Sequence, residues 1–86
     1  MRISVTKAHI STGKRNSPHS CPVALAIAAR GFKDVRVYSN RVQATGYSSY
    51  ILSSRVVNKI LSYDMGLDMK PFHFEMNFYE PENNGL

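Results

Sequence analysis

Cysteine occurs once in this chain of 86 residues, at Cys21, so no disulfide can close within it. No apolar run approaches the ~18 residues that a membrane-spanning helix needs. The opening Met1-Arg2-Ile3-Ser4-Val5-Thr6 lacks the apolar stretch and small-residue cleavage site of a secretory signal. These absences lead to the expectation of a soluble protein in a reducing cytoplasm. Repeats and low-complexity segments are missing as well. So are the motifs of nucleotide hydrolysis: Thr12-Gly13-Lys14-Arg15 fails the G-x-x-x-x-G-K-[ST] pattern that cradles phosphates. The carboxylates Asp64, Asp68, Glu75 and Glu80 show no pairing that suggests acid–base work. No enzyme and no cofactor is expected.

Acidic side chains are scarce in the first half. Residues 1–42 carry eight Lys and Arg against Asp34 alone, a net +7, whereas residues 43–86 carry a net −2. A basic half favours an anionic partner through phosphate neutralisation, or serves solubility alone. The length is room for one domain, and 43% hydrophobic residues suffice for a core. We expect residues 1–80 to form a single domain and 81–86 a loose tail.

Alternation of Ile3 and Val5 with Ser4 and Thr6 predicts a strand within residues 2–10. Residues 11–19 are loop formers. Ser20 as N-cap, Pro22 in the first turn and Gly31 after the end bracket a short helix, apolar on nearly every side and therefore buried. The runs Asp34 to Tyr38 and Val42 to Ser48 alternate around Ser39-Asn40-Arg41, a hairpin signal. Ser53 or Ser54 caps a second helix ending at Met65-Gly66, with Val56, Val57, Ile60 and Leu61 on its apolar stripe. The closing strand sets Phe72, Phe74, Met76 and Phe78 on one face and His73, Glu75, Asn77 and Tyr79 on the other. The order is β-α-β-β-α-β, which predicts an α+β, ferredoxin-like fold: a four-stranded antiparallel sheet with two helices on one face.

Such a sheet leaves its far face open, displaying Arg2, Arg36, Tyr38, Arg41, Gln43, His73 and Tyr79 to a partner. Basic and aromatic residues on an open sheet suit single-stranded RNA, although the segment around Gly46 lacks the aromatic pair of the RNP1 motif. A second candidate is the loop Lys14, Arg15, Ser17, His19 and Ser20, which precedes a helix N-terminus where N–H groups favour anions. A third is Cys21, at a helix start near His19, where a depressed thiol pKa would make a nucleophile; its apolar neighbours favour packing instead. Zinc would require Cys21 with His9, His19 and His73, a set without ligand spacing, so no metal is expected.

The combination His9-Ile10-x-x-Gly13, Cys21-Pro22-Val23-Ala24-Leu25-Ala26 and Pro71-Phe72-x-Phe74-Glu75 resembles a recurrent, largely uncharacterised group of small bacteriophage and prophage proteins. The likeness runs from about Ile3 to Glu75. Some members of that group carry a further cysteine in the loop before the Cys-Pro motif; this loop holds none, which weakens a metal or redox reading. The resemblance implies a stoichiometric job. One expectation is a non-catalytic accessory protein that binds a host protein or nucleoprotein complex, as an anti-defence or takeover inhibitor does. The alternative is direct nucleic-acid binding through the basic loop and the open sheet face, and the third is a Cys21-dependent enzyme. Pairing of exposed sheet edges would make a homodimer.

Overall fold

The computed structural model describes residues 1–77. They form an α+β fold of three helices and two small antiparallel sheets. Strand β1 (Arg2–Val5) is followed at once by helix α1 (Lys7–Thr12), then by helix α2 (Pro22–Ala28). The hairpin β2 (Arg36–Tyr38) and β3 (Arg41–Gln43) leads to β4 (Tyr50–Ile51), α3 (Ser54–Asp64) and β5 (Phe72–Glu75).

The single four-stranded ferredoxin-like sheet does not form. β1 pairs with β5, Ile3 opposite Phe74 and Val5 opposite Phe72, while β2, β3 and β4 make a separate sheet. The cause lies in α2. Pro22, Val23, Ala24, Ala26 and Ile27 are all buried, so this helix has no broad polar side to give to water. It packs against β1, against β2 and against α1, and its apolar surface is covered from more than one direction. A helix lying on one face of one sheet would have left half of that surface wet.

The strand expected across residues 2–10 stops at Val5. Thr6 caps α1: its Oγ1 accepts the His9 N–H at 3.3 Å, while His9 Nδ1 accepts the Thr6 N–H at 3.1 Å. This is a capping box with histidine where glutamate or glutamine usually stands. Cys21, not Ser20, is the N-cap of α2, and its Sγ accepts the Ala24 N–H at 3.4 Å. β2 begins at Arg36, not Asp34, because Asp34 has φ +55°, a left-handed conformation that interrupts a strand. The hairpin turn is two residues, Ser39-Asn40, with φ +52° at Ser39, as primed hairpin turns require. β3 ends at Gln43, where the chain turns through Gly46 (φ +86°).

One core joins these pieces, with Ile3, Val23, Ile27, Val42, Val56 and Met76 at its centre. α3 presents Val56 and Ile60 to it with Val57 half-buried against it, as expected, but Leu61 is left 50% exposed and Tyr63 is buried instead. The expected domain boundary at residue 80, the tail 81–86 and Tyr79 lie outside the described residues. No helix among the described residues is long and apolar enough to cross a membrane.

Candidate functional site

The loop before α2 is folded onto the end of α3. Arg15 Nε donates to the Tyr63 carbonyl at 2.6 Å and Nη2 to the Leu67 carbonyl at 3.3 Å, and the guanidinium carbon lies 4.4 Å from the Tyr63 ring centroid. A cation here meets the negative end of the helix dipole, and the Tyr63 carbonyl accepts it together with the Gly66 N–H. Asn16, at φ +58°, donates its N–H to Asp64 Oδ1 at 2.8 Å and its Nδ2 to the Asp64 carbonyl at 3.2 Å. Arg15 is therefore engaged within the fold.

The rest of the loop is laced to itself. Ser17 Oγ accepts the Ser20 N–H at 3.2 Å, the Ser17 carbonyl accepts the Cys21 N–H at 3.1 Å, and the Ser20 carbonyl accepts the Lys14 N–H at 2.8 Å. The first turn of α2 offers an anion little: Pro22 has no N–H, the Ala24 N–H is taken by Cys21 Sγ, and Cys21 through Ala24 are buried. The anion-binding premise at that helix start loses its donors for this reason. Lys14 and His19 remain exposed side chains without an ion-pair partner among the described residues.

The open-face residues divide between two sheets. Arg2 and His73 sit on the outer side of the β1–β5 ribbon, where Arg2 Nε is 3.5 Å from Glu75 Oε2 and the terminal ammonium 3.5 Å from Oε1. Arg36, Tyr38, Arg41 and Gln43 stay together: Arg36 faces Gln43 and Tyr38 faces Arg41 across the hairpin, all on the side opposite buried Val37 and Val42. Ile51, opposite Arg41 on β4, adds a 52% exposed side chain to that side. The Pro18 carbonyl accepts the Val37 N–H at 2.9 Å and joins the loop to the β2 edge.

Between loop, hairpin and α3 lies a cleft of about 420 Å³. Ser17 and Pro18 form one wall, Val37, Tyr38 and Ser39 another, Ile60, Leu61 and Asp64 the third, and Cys21 also lines it. Its rim carries Tyr38, 43% exposed, and Leu61; Met65, one turn beyond Leu61, is 80% exposed. Leu61 was expected inward because it was drawn on one stripe with Val56, Val57 and Ile60, and Met65 was read only as the end of the helix. The pair Ile60 and Tyr63, with Val56, gives an equally regular stripe that places them outward.

Cys21 is 3% exposed. Burial pushes its thiol pKa up and outweighs the N–H groups of Ala24 and Val23, which pull the other way; Asp64 adds a smaller rise. A nucleophilic cysteine needs the opposite shift. The folded state holds the proton more tightly than the unfolded chain, so folding stability is full below about pH 8.5 and falls as pH rises towards the folded-state pKa. Urea midpoints measured from pH 7 to 10 should fall more steeply for the native chain than for Cys21→Ala; equal slopes would show that the thiol does not titrate as described. Among the described residues no three His, Cys, Asp or Glu side chains converge as a metal site.

Comparison of the chain with protein-family models, with curated proteins and with solved structures returns no match.

Proposed function

We propose that this chain is a small, non-catalytic accessory protein of bacteriophage type that works in the host cytoplasm by binding a host protein, alone or within a nucleoprotein complex. The supporting observation is the cleft rimmed by Tyr38 and Leu61 and extended by Met65. Large apolar side chains left in water around a concavity are characteristic of protein–protein contact, and a buried tyrosine anchor supplies much of such an interface's energy. Nothing in the core of this fold requires Leu61 or Met65 to be apolar. Ser17, Ser39 and Asp64 add polar groups to the walls around this apolar part.

The test is affinity capture from bacterial lysate with tagged native chain and with Leu61→Asp/Met65→Asp, each with and without nuclease. A defined protein retained by the native chain after nuclease, and reduced about tenfold or more by the variant, is the expected result. Capture that is equal for both chains, or no protein at all, would overturn the reading. Both substitutions lie on the surface, and a circular dichroism spectrum of the variant matching the native chain is required before the comparison is read.

A further inference from the structure

The outer face of the β2–β3–β4 sheet goes beyond the cleft. We infer that this face is a stacking platform for single-stranded nucleic acid, with Tyr38 against a base and Arg36 and Arg41 on the flanking phosphates. Three observations carry it. First, the face is uncovered: Arg36, Tyr38, Arg41, Gln43 and Ile51 are all exposed, and every residue that alternates with them points inward or is half-buried. Second, its charge is unbalanced. Neither Arg36 nor Arg41 has an ion-pair or side-chain hydrogen-bond partner among the described residues; Asp34 lines a shallow pocket with Arg36 and Gln43 but forms no ion pair there and accepts the Thr45 hydroxyl at 3.3 Å.

Third, register sets the spacing. Tyr38 stands directly across from Arg41, with Cβ atoms about 5 Å apart, and two residues along the strand from Arg36, about 7 Å away. One tyrosine thus has two arginines as its nearest neighbours on the same sheet face. Unstacked bases on aromatic rings, with arginines on the adjacent backbone, are the general way that open sheets hold single strands. Gln43, opposite Arg36, has an amide that both donates and accepts, which suits a base edge. A duplex keeps its bases stacked on one another and offers Tyr38 none. An acidic polypeptide offers charge to the arginines and nothing planar to the ring.

Labelled oligothymidylate and oligouridylate, a duplex of equal length and polyglutamate are titrated onto the purified chain by fluorescence anisotropy at low salt. Both single strands should bind, with log K falling against log salt at a slope of about −1.4 for two neutralised phosphates. Arg36→Gln/Arg41→Gln should flatten that slope, and Tyr38→Ala should weaken binding on the order of tenfold. Because the chain has no tryptophan, Tyr38→Trp reports stacking directly, as quenching of a single indole on adding the oligonucleotide. No single-strand binding, duplex or polyglutamate binding as tight, or affinity unmoved by the arginine substitutions would overturn the proposal.

Failure here is distinguishable from failure of the protein-binding reading. Protein capture is removed by Leu61→Asp/Met65→Asp and survives nuclease, whereas strand binding is removed at Arg36 and Arg41 and needs no lysate. Tyr38 borders both surfaces, so its variants are read only in the oligonucleotide titration.

Discussion

Gly13→Ala should destabilise the protein by about 2 kcal/mol, read as a lower urea midpoint at unchanged m-value. The sign is the informative part. At a loop position whose backbone suits any residue, Gly→Ala stabilises by about 0.4–1 kcal/mol through the unfolded chain. Gly13 has φ −69° and ψ 160°, an ordinary extended conformation, so backbone preference would favour alanine. Space forbids it. A Cβ at residue 13 would stand 2.8 Å from the His9 carbonyl oxygen and 2.8 Å from both Cδ and Cγ of Pro22. The first is main chain of α1, whose C-terminal carbonyl also accepts the Gly13 N–H at 2.9 Å, and the second is a stiff ring buried at the start of α2. Relief therefore demands that the two helices move apart. A midpoint that stays or rises would mean that α1 shifts freely on α2.

The same contact gives four residues of the chain a packing role. His9 closes the α1 capping box, Gly13 permits the approach, Cys21 caps α2 and Pro22 fills the joint. Together they build the junction of α1 with α2. Its cysteine is part of the packing, with burial holding the thiol protonated.

Elements whose signals are local were legible. The β2–β3 hairpin, α3 with its serine cap and Gly66 end, and the alternation of Phe74 and Met76 against His73 and Glu75 all follow from neighbouring residues. α1 was hidden because none of its residues is buried, so no apolar period marks it, and its cap uses histidine. β4 is two residues long and carries no alternation to read. Strand partners were the larger gap. Four alternating runs are equally compatible with one sheet or two, and the choice was made by an all-apolar α2 that needed cover on more than one side.

The candidate site divides in the same way. Arg36, Tyr38, Arg41 and Gln43 share a face because hairpin register is local. Arg2 is different: its partner Glu75 comes from the far end of the chain, and the ion pair draws on a charge that the sequence counted as open. Arg15 shows the gap most plainly, since its acceptors at Tyr63 and Leu67 are about fifty residues away and convert an apparent anion ligand into a helix C-cap.

Tyr63→Ala should have the largest effect of any single substitution, a loss of about 3–5 kcal/mol. Tyr63 is 4% exposed, yet it was no part of the expected stripe of α3. Its hydroxyl lies 3.1 Å from the Gly13 carbonyl and 3.3 Å from the Ile10 carbonyl and shares one hydrogen between them, which ties α3 to the end of α1. Its ring carries the Arg15 guanidinium, and through it the loop that walls the cleft. Truncation leaves a cavity, two carbonyls without their donor and a cation without its platform. A domain of this size has a total stability of roughly 4–13 kcal/mol, so such a loss takes a large share of it and lowers the melting temperature markedly. Tyr63→Phe separates the contributions: it keeps the ring and the cation contact and should cost only about 1 kcal/mol for the lost hydrogen bond. Thermal melts of the pair decide the point. If Tyr63→Ala costs no more than Tyr63→Phe, the ring is not the pin that holds loop, α1 and α3 together, and the walls of the cleft are set by other contacts.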